Sequence, residues 1–383
     1  MKVCILGGNG YLGWPTSLFL SRQGHDVLII DNFAKRQWEV EMAVAPLLSI
    51  PAMPERLQRW RDVSNLSLAF VECDVCADYD ALEDTLRRFQ PEAIVHYAEQ
   101  PSAPFSMADR LRAIETQTNN VIGTLNLVYA IRAACPGAHL IKLGTMGEYG
   151  TPNIDIEEGW IDITHKGRSA RVVFPKSPGS IYHLSKVHDS ANLEFACRTW
   201  GNKVTDLNQG VVWGIETDES RLDQGLHTSF HYDAVFGTVL NRFVVQAVVG
   251  LPLTVYGQGS QKRGFINIRD TMRCVEITAL NPPPAGQFRV FNQITSHHSL
   301  NGLACLVSEQ AQELGLKAAV AHIDNPRVEA ETHYYNPMHS ALEKLGLVPH
   351  RLDGMAVRSM LQTMMPYKNK VDLDQVAPTI TWN

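Results

Sequence analysis

The chain has 383 residues, of which 45% are hydrophobic and 19% are charged, and its formal net charge at pH 7 is −6. These values are typical of a globular protein and exclude a general attraction to nucleic-acid phosphates or anionic lipid surfaces. The sequence begins with a strand-like segment and has no apolar run long enough to cross a bilayer, so we expect a cytoplasmic protein with no nucleic acid or membrane as partner.

Strand-like apolar segments alternate with amphipathic, helix-length segments through the first part of the chain. The strand-like segments are KVCILGG, DVLIID, LAFVECDV, AIVHYA, LIKLGT and KVTDLNQGVV. This alternation predicts an α/β fold with a Rossmann-type, doubly wound parallel sheet, which binds its ligand at the carboxyl ends of the strands. Residues 33–66 form a long connection, which we expect to be helical or to cover the ligand.

A glycine-rich turn, Gly7-Gly8-Asn9-Gly10-Tyr11-Leu12-Gly13, follows the first strand. Glycines permit a tight turn and let backbone N–H groups approach a pyrophosphate closely. Asp31 ends the second strand, where a carboxylate can bind the adenosine ribose and repel a 2′-phosphate, and Asp74 ends the third strand. NAD is therefore the predicted cofactor. NADP remains an alternative because Arg36 is nearby in the sequence.

We interpret residues 1–214 as the NAD-binding domain and residues 215–383 mainly as a smaller C-terminal substrate-binding lobe, interleaved with the last strands of the sheet.

The seven cysteines are scattered, and Cys73 and Cys76 are the one pair with motif spacing. The sequence has no second CxxC or His pair that would complete a zinc site. We therefore expect neither a metal site nor a disulfide framework.

Tyr182 and Lys186 share one face of a helix because they are four residues apart. An ammonium group in that position is expected to lower the pKa of the phenol from about 10 toward neutrality. Thr145, at the end of LIKLGT, can donate a hydrogen bond to the substrate oxygen that Tyr182 deprotonates. The sequence therefore predicts Tyr182 as the acid/base group of an NAD-dependent oxidation.

Together these motifs resemble the extended short-chain dehydrogenase/reductase family that acts on nucleotide sugars. Narrower segments resemble its UDP-sulfoquinovose synthase branch: EQPSAPFSMADR, LGTMGEYGTPNIDIEEG, YHLSKVHDS, TDLNQGVVWG and NPRVEAETHYYN. The resemblance implies conversion of UDP-glucose and sulfite, the latter free or brought by a sulfite-delivering protein, to UDP-sulfoquinovose for sulfolipid or sulfoglycan synthesis. It also implies a homodimer. The cofactor contacts that it implies are Gly7, Asn9, Gly10, Tyr11, Leu12, Gly13, Asp31, Asn32, Arg36, Asp74, Val75, Asn119, Tyr182, Lys186 and Val212.

The segment Thr145-Met146-Gly147-Glu148 disfavours an ordinary 4,6-dehydratase, which resembles this family but carries Thr-Asp-Glu at these positions. The resemblance implies oxidation at C4, loss of water across C5–C6, addition of sulfite at C6 and reduction at C4. Glu148 and His183 are the candidates for proton transfer at C5, because each is close in sequence to Thr145 or Tyr182. The predicted catalytic set is Thr145, Glu148, Tyr182, His183 and Lys186.

Substrate contacts are implied by further matching positions. Arginine forks suit diphosphate oxygens, which makes Arg263 and Arg327 the expected diphosphate ligands. The complete expected set is Thr145, Gln209, Asn241, Arg242, Thr254, Tyr256, Arg263 and Arg327. One departure from the family pattern is Pro101, which stands where plant synthases have an arginine.

Two other functions fit part of the same pattern. A UDP-hexose 4-epimerase or a related nucleotide-sugar dehydratase would share the NAD, Thr, Tyr and Lys residues, and would act on UDP-glucose without sulfite. A nucleotide-binding regulator without catalytic activity would be expected to have lost Tyr182 or Lys186, and both are present.

Overall fold

The computed structural model describes residues 1–327, 333–376, 380 and 382. Its strands are β1 (Lys2–Leu6), β2 (Asp26–Asp31), β3 (Ala69–Glu72), β4 (Ala93–His96), β5 (His139–Thr145), β6 (Trp160–His165), β7 (Arg168–Val173), β8 (Lys203–Gln209), β9 (Val211–Trp213), β10 (Leu253–Tyr256), β11 (Lys262–Asn267), β12 (Phe288–Gln293), β13 (Ser296–Ser299) and β14 (Val320–Ile323). Its α-helices are α1 (Gly13–Arg22), α2 (Ala34–Glu41), α3 (Met53–Ser64), α4 (Tyr79–Phe89), α5 (Ala103–Ser106), α6 (Arg110–Gln117), α7 (Gly123–Ala134), α8 (Ile181–Trp200), α9 (Val239–Val249), α10 (Ile268–Leu280), α11 (Leu300–Glu313), α12 (Ala341–Lys344) and α13 (Gly354–Met364).

The main sheet has the strand order β12-β8-β5-β4-β1-β2-β3, and all neighbouring strands in it are parallel. Six of these strands are the ones predicted from the sequence, so the doubly wound α/β fold is confirmed. The seventh strand, β12, pairs with β8 at Phe288 and Val204. The second half of the chain therefore completes the sheet, while a domain boundary at residue 214 stays a prediction.

Apolar side chains fill both faces of this sheet, because successive residues of a strand point to opposite sides. In β1, Val3 and Ile5 pack in one core, whereas Cys4 and Leu6 pack in the other. Helices cover each face, which keeps the strands away from water and leaves the strand ends as the accessible polar edge.

A third apolar core lies in the second half of the chain. It joins α9, α11 and α13 to β10 and includes Phe243, Leu303 and Leu361. The connection between β2 and β3 holds α2 and α3, in agreement with the expected helical excursion, and Leu47 within it packs against this third core. The connection thus links the two halves of the chain. Across the described residues, no helix combines the length and apolar character that a membrane crossing requires.

Candidate active site

A cavity of about 710 Å³ opens at the carboxyl ends of β1, β2, β4 and β5, where sheets of this type bind their ligands. The cavity is lined by most of the residues predicted from the sequence: Gly7, Asn9, Gly10, Tyr11, Leu12, Gly13, Asp31, Asn32, Asp74, Val75, Asn119, Thr145, Tyr182, His183, Gln209, Asn241, Arg242, Tyr256, Arg263 and Arg327. Five predicted residues are not part of its lining: Arg36, Glu148, Lys186, Val212 and Thr254.

The turn between β1 and α1 leaves no room for larger side chains. A Cβ atom on Gly13 would lie 2.1 Å from the Gly7 carbonyl oxygen, and one on Gly7 would lie 2.6 Å from the Tyr97 backbone. Gly7 also has a φ of +78°, which favours glycine. This close-packed turn at the start of a helix fits a pyrophosphate held by backbone N–H groups.

Acidic and amide side chains continue the cavity beyond this turn. Asp31 accepts hydrogen bonds from the backbone N–H groups of Asn9 at 2.8 Å and Phe33 at 2.7 Å, and burial raises its pKa. Asn32 donates to Asp74 at 2.8 Å. Asp31 and Asp74 therefore both line the cavity beside the glycine turn, an arrangement that fits NAD.

Arg36 was the residue that left NADP as an alternative to NAD as the cofactor. Its guanidinium pairs with Glu39 at 3.0 Å and does not line the cavity. Asp31 therefore lines the cavity while Arg36 of α2 does not. A cavity wall with this carboxylate and without that arginine favours NAD over NADP.

Val212 was predicted to contact the cofactor, and this contact stays a prediction. Val211 lines the cavity, whereas Val212 is 7% exposed and packs in the core beside the sheet. The reason is the two-residue repeat of a strand, in which neighbouring side chains point in opposite directions.

Two elements place the predicted catalytic residues Thr145 and Tyr182 in the lining of the same cavity. Thr145 ends β5 and caps a single 3₁₀ turn, its hydroxyl accepting a hydrogen bond from Gly147 N at 3.1 Å. Tyr182 lies in the first turn of α8, which Ser180 caps by accepting from His183 N. The backbone N–H of Tyr182 donates to Ser106 Oγ at 3.0 Å, which fixes the start of α8 against α5.

The contacts of Lys186 differ from the expected ones. Its ammonium group forms an ion pair with Glu99, donates to the Leu143 carbonyl at 2.7 Å, and lies 5.7 Å from the centroid of the Tyr182 ring. Burial, and after it the charge of Glu99, raises the pKa of Tyr182. The predicted lowering by Lys186 is therefore wrong for the protein without its ligands, because burial and, after it, the charge of Glu99 raise the pKa of the phenol.

Glu148 lies behind the cavity and not in its wall. Its carboxylate is fully buried, where it accepts hydrogen bonds from Lys176 and Ser190 and pairs with Lys142 at 3.4 Å. It also accepts from Thr145 N at 3.3 Å, completing a capping box. Burial opposes ionisation of Glu148, but the two lysines outweigh it and lower its pKa. This geometry supports a role in holding the Thr145 turn and does not support the predicted proton transfer.

His183 does line the cavity, and the structure explains the glycine before Glu148. A Cβ atom on Gly147 would lie 2.3 Å from His183 Nε2, so the imidazole fits only against a glycine. The ring centroids of His183 and Tyr182 are 5.1 Å apart. Of the two candidates for C5, the imidazole is thus the one beside Tyr182 in the cavity wall.

The opposite end of the cavity is rich in arginine. Arg242 is buried and donates to the Tyr256 hydroxyl at 2.9 Å and to the Thr254 carbonyl at 3.1 Å. Burial lowers the pKa of Arg242, the nearby Tyr256 opposes this change, and Arg327 adds to it. Together with Arg263, these guanidinium groups form a positive region that suits a diphosphate. Thr254 supports Arg242 through its backbone, and its hydroxyl accepts from Gln246 at 2.8 Å.

Sequence patterns missed two charged residues near Lys186 and Glu148. These residues are Glu99, which pairs with Lys186, and Lys142, which pairs with Glu148. Glu99 lies three residues after the end of β4 and lines the cavity, and Lys142 lies fully buried within β5. A charged residue in or beside a buried strand is a signal that could have found them, because such a charge requires a partner.

Comparisons with known proteins agree with this site. Residues 3–292 match the family model described as NAD dependent epimerase/dehydratase family. The chain is 49% identical over 381 residues to the chloroplastic UDP-sulfoquinovose synthase of Spinacia oleracea, covering 100% of this chain and 79% of the relative. It is 39% identical over 373 residues to UDP-sulfoquinovose synthase of Sulfolobus acidocaldarius, covering 97% of this chain and 94% of the relative.

Solved structures show the same fold at lower identity. UDP-glucose 4-epimerase from Bifidobacterium longum, in complex with NAD⁺ and UDP, superposes with a TM-score of 0.71 at 18% identity, covering 97% of this chain and 100% of the other. The chain belongs to the NAD dependent epimerase/dehydratase family and, within it, groups with the UDP-sulfoquinovose synthases.

Proposed function

We propose that this chain is a UDP-sulfoquinovose synthase, which converts UDP-glucose and sulfite to UDP-sulfoquinovose with NAD as its cofactor. The observation that carries the proposal is one cavity that joins a glycine-turn cofactor site, the Thr145 and Tyr182 side chains, and an arginine-rich end. The identity of 49% over the full chain to a synthase supports the same activity.

NAD fits the close-packed turn at Gly7 and Gly13, with Asp31 at the ribose. When bound, it supplies the oxidation and later the reduction of C4, so the reaction has no net redox change. Tyr182 takes the proton of the 4-hydroxyl in the first step and returns it in the last. Thr145 donates a hydrogen bond to the same oxygen.

The ketone at C4 makes the C5 proton acidic. His183 is the proposed acceptor of this proton, because its imidazole lies in the cavity wall beside Tyr182. The 6-hydroxyl then leaves as water with the proton that His183 took from C5, giving a double bond between C5 and C6. Sulfite enters as hydrogen sulfite: its sulfur adds at C6, the proton that it brings goes to C5, and reduction at C4 completes the product.

The UDP group is proposed to lie at the arginine-rich end. Arg242, Arg263 and Arg327 bind the diphosphate in this arrangement, while Asn241 and Gln209 contact the remainder of the substrate. The Oδ1 atom of Asn241 is buried in the cavity wall without a hydrogen-bond partner among the described residues, which is consistent with a ligand donor at that point.

A homodimer is part of the proposal. Tyr129 of α7 and Phe195 of α8 are 46% and 45% exposed, and both rings contact Trp200, at 5.2 and 5.4 Å between centroids. Such a group of exposed aromatic rings is typical of a protein–protein contact.

The test is incubation of the purified protein with UDP-glucose and sulfite, followed by mass spectrometry and NMR of the sugar nucleotide. We expect a product with a carbon–sulfur bond at C6, formed only when both substrates are present. Formation of UDP-galactose without sulfite, and no sulfonated product with it, would instead support the 4-epimerase.

A further inference from the structure

Glu99 is a buried carboxylate in the wall of the cavity. It follows β4, is 7% exposed, and forms an ion pair with Lys186 through Oε2. Apart from this ion pair, neither of its oxygens accepts a hydrogen bond from the part of the chain that the structure describes. A carboxylate in such surroundings is costly to bury, so its charge requires the lysine.

Glu99 also determines where Lys186 lies. The ammonium group is held between the Glu99 carboxylate and the Leu143 carbonyl, and the distance from Nζ to the centroid of the Tyr182 ring is 5.7 Å. Removal of Glu99 would leave Lys186 with its hydrogen bond to the Leu143 carbonyl. The positive charge of Lys186, close to the phenol, would then no longer be balanced.

We propose that Glu99 is a positioning residue for the Tyr182–Lys186 pair: it fixes Lys186 and balances the charge that the Tyr182 hydroxyl experiences. The inference rests on the proposed function of Tyr182 as the acid/base group. It extends that function by making the pair a triad of phenol, ammonium and carboxylate, in which the carboxylate sets the pH range of the reaction.

The charges around Glu99 support this assignment. The groups that face it are His96 from β4, Lys142 from β5, and Tyr182, Lys186 and Asp189 from α8. Glu99 is the strongest of the charged groups acting on Tyr182 and, after burial, contributes most to raising its pKa. Since a raised pKa keeps the phenol protonated, loss of the Glu99 charge should make the phenol easier to deprotonate.

The experiment compares the pH dependence of kcat/KM for UDP-glucose and sulfite in the parent enzyme, Glu99→Gln and Glu99→Asp. In Glu99→Gln, the acid limb of the pH profile of kcat/KM should move to lower pH by at least about one pH unit. This is the size expected when the charge of Lys186, 5.7 Å from the Tyr182 ring centroid, is no longer balanced. In Glu99→Asp, which keeps the charge, the limb should stay within about half a unit of the parent while the rate falls.

Asp206→Asn is the matched control. Asp206 is also a fully buried carboxylate, near Lys142 at 3.7 Å, but the principal charges that shift the pKa of Tyr182 do not include it. A general effect of losing a buried carboxylate would appear in this variant as well, whereas the proposed effect should leave its acid limb in place.

A direct measurement covers the case of a variant too weak for kinetics. Protein labelled with ¹³C at the tyrosine ζ-carbon can be titrated by NMR, with Tyr182→Phe used for assignment. An unchanged titration of Tyr182 in Glu99→Gln would overturn the inference, and so would an equal shift in Asp206→Asn. Full turnover in Tyr182→Phe would instead overturn the proposed function, so the two failures are distinguishable.

Discussion

Tyr182 is the side chain on which the proposed chemistry depends most directly. Its side chain lies in the wall of the cavity that Thr145 also lines, while its backbone N–H donates to Ser106 Oγ at 3.0 Å. Tyr182→Phe removes only the hydroxyl, so kcat/KM should fall at least about a hundredfold, as expected for loss of a positioned acid/base group, while bound NAD is retained. Steady-state kinetics and the nicotinamide content of denatured protein measure both effects.

The control for this variant is Tyr79→Phe, since Tyr79 lies on α4 outside the cavity lining. It should have the turnover of the parent enzyme. Turnover within a factor of a few of the parent in Tyr182→Phe would remove Tyr182 from the mechanism.

His183 and Glu148 are distinguished by hydrogen exchange at C5. With UDP-glucose alone in D₂O, the parent enzyme should slowly exchange the C5 hydrogen, which NMR detects. His183→Ala should slow this exchange at least about a hundredfold while still allowing a transient NADH absorbance from the C4 step. Glu148→Gln should retain exchange, because this carboxylate is buried behind the cavity and paired with lysines.

The reverse pattern, in which Glu148→Gln abolishes exchange and His183→Ala keeps it, would make Glu148 the base. Formation of NADH without any exchange in the parent enzyme would argue against elimination and favour the epimerase.

At the scale of elements, the turn between β1 and α1 gives a test of the cofactor site. NAD should co-purify with the parent protein, because it is oxidised and reduced again within one turnover. Gly13→Ala places a Cβ atom 2.1 Å from the Gly7 carbonyl and should remove most of the bound NAD. Gly137→Ala is the control, since a Cβ atom there meets nothing within 4 Å. Chromatography of the nucleotide released on denaturation measures the NAD content of the parent protein and of both variants.

Equal NAD content in the two glycine variants would show that the turn does not hold the cofactor. Release of chiefly NADP from the parent protein would contradict the interpretation of Asp31.

Local patterns predicted the elements well because each pattern describes a single strand, turn or helix. Thr145 was expected at the end of a strand and Tyr182 in a helix after it, and both positions follow from the periodicity of apolar residues. The placement of Val212 in the core and of Val211 in the cavity lining has a comparable local cause, since one residue of offset in a strand reverses the direction of a side chain. The alternation alone did not fix which valine of β9 faces the cavity.

Contacts between elements could not be read from spacing. Lys186 pairs with Glu99, which is distant in sequence, and Glu148 is buried by Lys142 and Lys176 from two other segments. These pairings depend on how β4, β5 and α8 pack together. For this reason the direction of the Tyr182 pKa shift was predicted incorrectly, and sequence spacing did not decide whether Glu148 is a proton-transfer group or a structural carboxylate.

At the scale of the whole molecule, the cavity requires both halves of the chain. The glycine turn, Asp31 and Tyr182 come from the first half, whereas Arg242 and Arg263 come from the second. Strand and helix patterns indicated a second lobe interleaved with the sheet but not which of its residues reach the cavity, and only the resemblance to nucleotide-sugar enzymes indicated the arginines. Alternation of strands and helices predicts a sheet, but it contains no information on how a second lobe closes over the strand ends.

The proposed dimer gives the last prediction. Tyr129 and Phe195 form an exposed aromatic group with Trp200 on α7 and α8. If this face joins two copies, the double variant Tyr129→Glu and Phe195→Glu should be monomeric, because each charge would lose its hydration in the interface. Met355→Glu, at a residue that is 82% exposed on α13, is the control and should keep the mass of the parent. Analytical ultracentrifugation compares the three proteins, and a parent protein that sediments as a monomer at micromolar concentration would contradict the dimer itself.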